Sequence, residues 1–222
     1  MNIRQVIRVA VLDDHPAVLA GLRRLLEAAD DVTPVAAANS ADELLRALNG
    51  PRADVAVLDY DLGRSDGLAV CHSLKERVRP PAVVVYSAYA GPALVLAAQI
   101  AGANAVVDKR APVPELMDAI RLVAVGERVF PDIPLDLRQA AVAALEPEEI
   151  PVAAMLLAGT SPNGVADALS IDRRDVASRT RRIVARLRPK HNGPGTAPLV
   201  QDRNVLTATG THHRGQASAW GR

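Results

Sequence analysis

Short apolar runs alternate with amphipathic segments through the first 125 residues of the chain. Five runs rich in Val, Ala and Leu have the pattern of strands that are buried on both faces. The segments between them carry apolar residues at helical spacing. We therefore expect a doubly wound α/β fold with a five-stranded parallel sheet. The predicted strands are Val6–Leu12, Val32–Ala37, Val55–Asp59, Ala82–Ser87 and Ala105–Asp108.

Five helices are predicted to follow these strands. Ser40 and Glu43 have the spacing of a capping box, which places a helix start between the second and third strands. The other predicted helices are Pro16–Ala29, Gly67–Val78, Pro92–Ala101 and Val113–Val125.

Polar side chains stand where the predicted strands end. Asp13 and Asp14 follow the first strand, Asp59 ends the third, Ser87 ends the fourth and Lys109 follows the fifth. The carboxyl ends of parallel strands meet at one edge of a sheet. Three carboxylates there repel one another unless a divalent cation such as Mg²⁺ joins them, while the lysine and the hydroxyl can pair with an anion. We interpret Asp59 as a nucleophile that accepts a phosphoryl group, not as a turn residue.

Four stretches resemble the receiver domain of two-component response regulators, which has a flavodoxin-like fold. They are VAVLDDHPAVLAGL, VAVLDYDLGRSDGLAVC, VVVYSAY and AGANAVVDKRAPVPELMDAI, within roughly residues 5–125. The resemblance implies that Asp59 is the phosphoacceptor, that Ser87 is the switch hydroxyl and that Lys109 pairs with the phosphate. It also implies an Mg²⁺ site formed by Asp13, Asp14, Asp59 and the backbone carbonyl of Asp61.

Residues 145–189 are predicted to form a small all-α domain. A first helix should start at Pro147, with Glu148 and Glu149 in its first turn, and a short helix should open near Asn163. A last helix is predicted at roughly 173–187, with Asp172 as its cap. Basic residues concentrate in this helix and just after it, which favours a polyanionic partner. They are Arg173, Arg174, Arg179, Arg181, Arg182, Arg186, Arg188 and Lys190.

This second segment resembles the LuxR/NarL-type helix-turn-helix. The matching stretches are LEPEE, AGT, VADALSI and DVA, and the Asp-His-Pro at residues 14–16 is typical of receivers that carry this output domain. The resemblance implies binding to double-stranded promoter DNA. Ala177, Ser178 and Arg181 would face base edges. The phosphate contacts would come from Arg174, Arg179, Arg182 and Arg186.

The chain departs from both patterns at a few positions. Val106 stands where the receiver family usually has Tyr or Phe, Ser170 replaces the usual turn glycine, and Ala177 replaces the usual lysine. The leading hypothesis is a non-enzymatic response regulator: a sensor histidine kinase phosphorylates Asp59, and the chain dimerises and binds promoters. Val106 suggests an alternative, a regulator that works without phosphate. A second alternative is an Asp-nucleophile phosphatase, because Asp59-Tyr60-Asp61 also resembles the Asp-x-Asp of haloacid-dehalogenase-type enzymes.

Composition sets the remaining expectations. The 222 residues are 49% hydrophobic but only 2% aromatic, so Ala, Val and Leu must fill the core. One cysteine, no signal peptide pattern and no membrane-length apolar run favour the cytoplasm. We expect a receiver at 1–125, a linker at 126–144, the helix-turn-helix at 145–189 and a disordered tail at 190–222.

Overall fold

A parallel sheet runs through the N-terminal part of the computed structural model, which describes residues 6–63 and 65–189. Its strands are β1 (Ile7–Leu12), β2 (Val32–Ala38), β3 (Val55–Asp59), β6 (Ala82–Ser87) and β7 (Ala105–Asp108). They lie in the order β2-β1-β3-β6-β7, and every neighbouring pair is parallel. The predicted doubly wound sheet is confirmed. Two short strands that the sequence analysis did not predict, β4 (Asp61–Leu62) and β5 (Ser65–Asp66), pair as a hairpin after β3.

Five helices connect these strands and cover the sheet. They are α1 (Pro16–Glu27), α2 (Ala41–Ala47), α3 (Gly67–Lys75), α4 (Pro92–Ala101) and α5 (Val113–Ala124). The predicted end of α3 at Val78 is wrong by three residues, because the chain turns ahead of Pro80, and a residue before proline avoids the helical region. The predicted capping box is not formed. Glu43 accepts the N–H of Asn39, one residue before the cap residue Ser40, and the Ser40 side chain makes no capping hydrogen bond.

Alternate residues of each strand face opposite layers of the core. Val9 and Val11 face α1 and α5, whereas Ala10 and Leu12 face the side that α3 and α4 cover. We call residues 6–125 the sheet domain. Both of its faces are buried, which is why its central strands are apolar throughout.

Four further helices follow the sheet domain. They are α6 (Leu135–Ala143), α7 (Ile150–Leu157), α8 (Pro162–Leu169) and α9 (Arg173–Leu187). The predicted start of α7 at Pro147 is wrong: the helix begins at Ile150, and Glu149 is its cap residue. Pro151 explains this, because proline has no N–H to donate and is tolerated only in the first turn of a helix.

The helical domain, residues 145–189, shares one core with the sheet domain. Val152, Val176 and Ile183 are buried in the same apolar cluster as Leu94 of α4. Seven of the ten residues of α4 are buried, because the sheet covers one of its sides and α7 and α9 cover another. The chain through Pro189 is one compact unit, and the predicted boundaries at residues 125 and 145 remain a prediction.

The predicted disordered tail, residues 190–222, lies outside the described residues. Within residues 6–63 and 65–189, no helix has the length and apolar character that crossing a membrane requires.

Candidate phosphoryl-acceptor site and nucleic-acid interface

The carboxyl edge of the sheet collects the polar residues that the sequence predicted for it. Asp13 follows β1, Asp59 ends β3, Ser87 ends β6 and Lys109 follows β7. Asp13, Asp59 and Ser87 are buried. The strand register brings them together: Asp59 pairs with Tyr86, and Ser87 pairs with Asp108, next to the lysine.

Lys109 bridges two of the carboxylates. Its Nζ lies 2.7 Å from Asp13 Oδ2 and 2.8 Å from Asp59 Oδ2. Burial opposes the charge of Lys109, but the hydrogen bonds to Asp13 and Asp59 outweigh it and raise the pKa of the lysine. For Asp59 the balance is reversed. Burial raises the pKa of Asp59, and the hydrogen bond from Lys109 offsets this only in part.

Four side chains at this edge could hold a metal ion. Asp13, Asp14, His15 and Asp59 each offer a ligand atom, and these atoms lie within 4.8 Å of one another. Asp14 Oδ1 is buried and accepts no hydrogen bond from the described residues, although His15 Nδ1 lies 2.9 Å away. Oxygen ligands of this kind suit Mg²⁺. The chain therefore has a donor set that fits the predicted magnesium site.

Asp61 stands apart from this set of side chains. Its carboxylate is not one of the four clustered ligands and lies on an exposed residue. Its N–H donates to Asp59 Oδ1 at 3.2 Å, which fixes the acceptor carboxylate to the following loop. The predicted contribution of Asp61 is a backbone carbonyl, and that remains a prediction.

Gly67 is a functional position that sequence reasoning missed. A Cβ at residue 67 would collide with the backbone carbonyl of Asp59. The N–H of Gly67 also donates to the Tyr60 carbonyl at 3.0 Å. Because only glycine allows this approach, the start of α3 can lie directly against the end of β3. The signal was the glycine itself, eight residues after the acceptor.

Ser87 is positioned to donate a hydrogen bond at the same edge. Its Oγ accepts the N–H of Tyr89 at 3.1 Å, which leaves the hydroxyl proton free for another acceptor. Its backbone carbonyl accepts the N–H of Lys109 at 2.8 Å. The hydroxyl and the lysine are therefore tied to each other through the main chain.

The predicted recognition helix is α9, and its observed bounds are those of the prediction. The Asp172 side chain accepts the N–H of Arg174, as expected of its cap. Val176, Thr180 and Ile183 are buried on its inner face.

The candidate DNA contacts on α9 differ in exposure. Arg174, Arg181, Arg182 and Arg186 are exposed, and Ser178 and Arg179 are half-buried. Ala177, which was predicted to face a base edge, is buried. Some of these side chains bond to other residues of the helical domain, and others do not.

Three of the arginines are tied to the loop before α7. Arg182 Nε lies 3.1 Å from Glu149 Oε1, and Arg186 pairs with Glu146 at 2.9 Å. Arg179 donates to the Glu148 carbonyl at 3.0 Å. The sequence did not identify Glu149 as a partner, because Glu149 and Arg182 are 33 residues apart in the chain. Within residues 6–63 and 65–189, Arg174 and Arg181 have no such side-chain partner.

In this arrangement α9 packs against the sheet domain. Its main neighbour there is α4, and it also contacts α3. Three polar contacts also join the two domains around this packed surface. Tyr60 donates to the Pro189 carbonyl at 3.2 Å, Arg188 lies 3.2 Å from Asp66, and Arg173 donates to the Glu76 carbonyl at 3.1 Å. The surface of α9 that includes Ala177 is therefore not available to a DNA groove.

A segment between the two domains adds to the edge of the sheet. Val129 forms a parallel bridge with Ala105 of β7, and its N–H donates to the Asn104 carbonyl at 2.8 Å. Phe130 packs against the apolar cluster that contains Val106. Arg128 stacks on the Phe130 ring at 5.2 Å and donates to the Leu157 carbonyl of α7. The predicted linker therefore contacts both domains.

Comparison with known proteins agrees with this architecture. The family model described as the response regulator receiver domain matches residues 9–121. The DNA-binding transcriptional activator DevR/DosR of Mycobacterium tuberculosis is 28% identical over 192 residues, which cover 82% of this chain and 88% of that protein. The transcriptional regulatory protein UhpA of Salmonella typhimurium is 32% identical over 172 residues, which cover 77% of this chain and 86% of UhpA.

Two solved structures share the fold. The structure of RcsB from Salmonella enterica serovar Typhimurium bound to a promoter has a TM-score of 0.55 at 22% identity, and the match covers 82% of this chain and 91% of that chain. The receiver domain of the NarL regulator from Mycobacterium tuberculosis has a TM-score of 0.52 at 31% identity, covering 55% of this chain and 99% of that chain. With its receiver sheet, its acidic edge and its helix-turn-helix, the chain belongs to the two-component response regulators of the LuxR/NarL type.

Proposed function

We propose that the protein is a DNA-binding transcription regulator that is switched by phosphorylation of Asp59. The observation that carries this proposal is the position of Lys109, which joins the buried carboxylates of Asp13 and Asp59 through one ammonium group. DevR/DosR and UhpA, which match most of this chain, are transcription regulators. The proposal places the protein in the cytoplasm, with promoter DNA and a sensor histidine kinase as partners.

The chemistry at Asp59 is a transfer of one phosphoryl group. A carboxylate oxygen of Asp59 forms a bond to phosphorus while the bond between phosphorus and the kinase histidine breaks, and the electron pair returns to the imidazole nitrogen. A bound Mg²⁺, held by Asp13, Asp14 and Asp59 with the carbonyl of Asp61, would supply positive charge to the transferred group.

The neighbouring side chains stabilise the product. Lys109 already lies 2.8 Å from the accepting carboxylate, so it can pair with a phosphoryl oxygen without a large movement. Ser87 has a free hydroxyl proton at the same edge and can donate it to another phosphoryl oxygen. Ser87 ends β6 and Lys109 follows β7. Helix α4 contacts β7 on one side and the helical domain on the other.

DNA binding uses one face of α9, and part of that face is covered in the arrangement described here. Ala177, Ser178 and Arg181 read base edges, and Arg174 adds a phosphate contact. Because Arg179, Arg182 and Arg186 also bond to the loop before α7, their contribution to phosphate binding competes with pairs inside the domain. Ala177 is buried in the arrangement described here, so DNA binding requires α9 to leave α4.

Phosphorylation is proposed to favour that separated arrangement and a homodimer. The equilibrium between the two arrangements is then the switch, and a phosphoryl group shifts it by binding more favourably to one of them.

Intact mass after incubation with Mg²⁺ and acetyl phosphate tests the acceptor. The wild type should gain one phosphoryl group, and Asp59→Asn should gain none. An unchanged wild-type mass, with beryllofluoride also failing to bind, would favour the phosphate-independent regulator. Continuous release of phosphate from an ester, lost in Asp59→Asn, would favour the phosphatase.

A further inference from the structure

A cavity of about 280 Å³ lies between the sheet domain and the helical domain. Ile100 lines it from α4, Leu156 from α7, and Val176 and Thr180 from α9. Its wall is therefore apolar over much of its area and is built from both domains. A cavity of this size can hold a small organic molecule with a single ring system.

Three cations line the same cavity. They are Lys75 of α3, Arg128 of the linker and Arg173 of α9, and the acidic residue among the lining side chains is Glu76. Within residues 6–63 and 65–189, none of the three cations forms an ion pair with a carboxylate. The cavity therefore combines an apolar wall with an excess of positive charge.

The three cations keep hydrogen-bonding capacity. Lys75 Nζ donates to the Pro81 carbonyl and to Asn104, which leaves one of its three protons unused. Among the described residues, the Arg128 side chain makes one hydrogen bond, to the Leu157 carbonyl, and the Arg173 side chain makes one, to the Glu76 carbonyl. Arg128 is an exposed residue, and partial burial of its guanidinium lowers its pKa, with no carboxylate in the described part of the chain to offset this.

His72 provides a separate polar atom in this cavity. The residue is 8% exposed, and its Nε2 is buried without a hydrogen-bond partner among the described residues. The nearest carboxylate, Glu76 Oε1, lies 3.6 Å away, beyond hydrogen-bond distance. Burial lowers the pKa of His72, and a hydrogen bond with the Ala177 backbone offsets this only in part, so the ring lies against α9 at the cavity wall.

We propose that this cavity is a binding site for a small organic anion with an apolar ring, of the aromatic carboxylate class. The carboxylate pairs with Arg128 and Arg173, and the ring lies against the apolar wall. Such a ligand contacts both domains at once. Resting on the proposed function, it acts as a second input that holds α9 on α4 and lowers DNA affinity whether or not Asp59 is phosphorylated.

Thermodynamic linkage gives the expected size of this effect. A ligand that binds only the packed arrangement stabilises it by the factor 1 + [L]/Kd. At ten times its Kd, the ligand should weaken DNA binding about tenfold if α9 must leave α4 first. The effect requires no change at the phosphorylation site.

Calorimetric titration of the full chain with 2-naphthoate tests the binding claim. The neutral 2-naphthamide has nearly the same shape and serves as the control ligand. We expect naphthoate to bind and the amide to bind at least about tenfold more weakly, because the anion forms charge-assisted hydrogen bonds. No measurable heat with naphthoate, or equal affinity for the amide, would overturn the proposal.

Two variants locate the site. Arg128→Gln on the linker and Arg173→Gln on α9 should each weaken naphthoate binding about tenfold. Arg23→Gln, which removes an exposed cation on α1 that pairs with Glu27, should leave it unchanged. Having one variant on the linker and one on α9 guards against a local folding defect at either place. Unchanged affinity in both would show that the anion binds elsewhere and would overturn the site.

Duplex binding in the presence of naphthoate then tests the regulatory claim. A loss of affinity of about tenfold at ten times the Kd supports it, and at the same naphthoate concentration the loss should fall to about twofold in Arg128→Gln. Naphthoate binding with unchanged DNA affinity would overturn the regulatory role. A chain that binds naphthoate but no duplex under any condition would contradict the proposed function and not the cavity, so the two failures can be distinguished.

Discussion

The buried carboxylate of Glu149 lies 3.1 Å from the guanidinium of Arg182 and ties α9, the predicted recognition helix, to the start of α7. Arg186 Nε approaches the other oxygen of the same carboxylate at 3.6 Å. From the sequence, Arg182 and Arg186 of this basic helix were predicted to contact DNA phosphates. In the structure both form ion pairs within their own domain.

Glu149→Gln should lower the free energy of unfolding by about 1–3 kcal/mol, because it leaves Arg182 without its charged partner. Burial opposes the charge of Glu149, but the hydrogen bonds from the Glu146 N–H and from Arg182 outweigh it and lower its pKa. A lowered pKa in the folded state means stability that is present above the unfolded pKa and is lost as the pH falls through the folded pKa.

The difference in urea stability between wild type and Glu149→Gln should therefore be full near about pH 7 and should shrink toward about pH 3. Glu148→Gln is the matched control, since that side chain is exposed and should change stability little. A difference that does not depend on pH would contradict the assignment.

Arg181 and Arg182 are adjacent on α9 but should behave differently in DNA binding. Arg181 is exposed and has no ion pair in the described part of the chain, whereas Arg182 is paired with Glu149. Arg181→Gln should weaken duplex binding by about 1–3 kcal/mol. Arg182→Gln should act mainly on the stability of the helical domain. Fluorescence anisotropy with a labelled duplex measures the affinity of both variants, and urea denaturation measures their stability. Equal losses of affinity in the two variants would contradict the predicted difference.

Most of the sheet domain could be predicted because each strand is a local apolar run with a polar residue at its end. Asp59 and Lys109 are 50 residues apart, yet parallel strands bring their ends together by topology alone. The pairing of Arg182 with Glu149 could not be predicted, because it depends on how α9 crosses the loop before α7. The burial of Ala177 could not be predicted either, because it arises from contact between two domains. The hydrophobic pattern of each domain alone does not indicate that contact.

The first part of the linker, residues 126–134, was predicted only as a break in the pattern, since Pro131 and Pro134 interrupt any regular period. Its pairing with β7 uses backbone groups, which leave no trace in the side-chain pattern. Phe130, the single phenylalanine of the chain, was the available signal, because a lone large apolar side chain in a linker needs a place to be buried.

Val129→Pro should release the linker from the sheet. Proline has no N–H, so the 2.8 Å hydrogen bond to the Asn104 carbonyl is lost. We expect faster hydrogen exchange in the peptide that covers residues 126–131 and a loss of about 1 kcal/mol in stability. Val129→Thr keeps the N–H and the branched shape and should exchange as the wild type does. Identical exchange in Val129→Pro would show that this edge pairing does not hold the linker.

Tyr60→Phe should loosen the packing of α9 on the sheet domain. It removes the hydrogen bond from the Tyr60 hydroxyl to the Pro189 carbonyl and keeps the ring. Burial raises the pKa of Tyr60 to about 12, so the hydroxyl is a donor at neutral pH. Loss of one such bond should raise the duplex affinity of the unphosphorylated protein about two- to tenfold. Tyr89→Phe, at a tyrosine that is 59% exposed, is the control and should change nothing. Reduced DNA affinity in Tyr60→Phe would contradict the inference that the protein does not bind DNA while α9 is packed on α4.

We propose that a phosphoryl group on Asp59 frees α9 to bind DNA. The first measurement to make is duplex affinity with and without Mg²⁺ and beryllofluoride, on the wild type and on Asp59→Asn. The affinity of the wild type should rise at least about tenfold, which corresponds to about 1.4 kcal/mol, and that of Asp59→Asn should not rise. Equal affinity of the wild type in both conditions, with beryllofluoride shown to be bound, would contradict it.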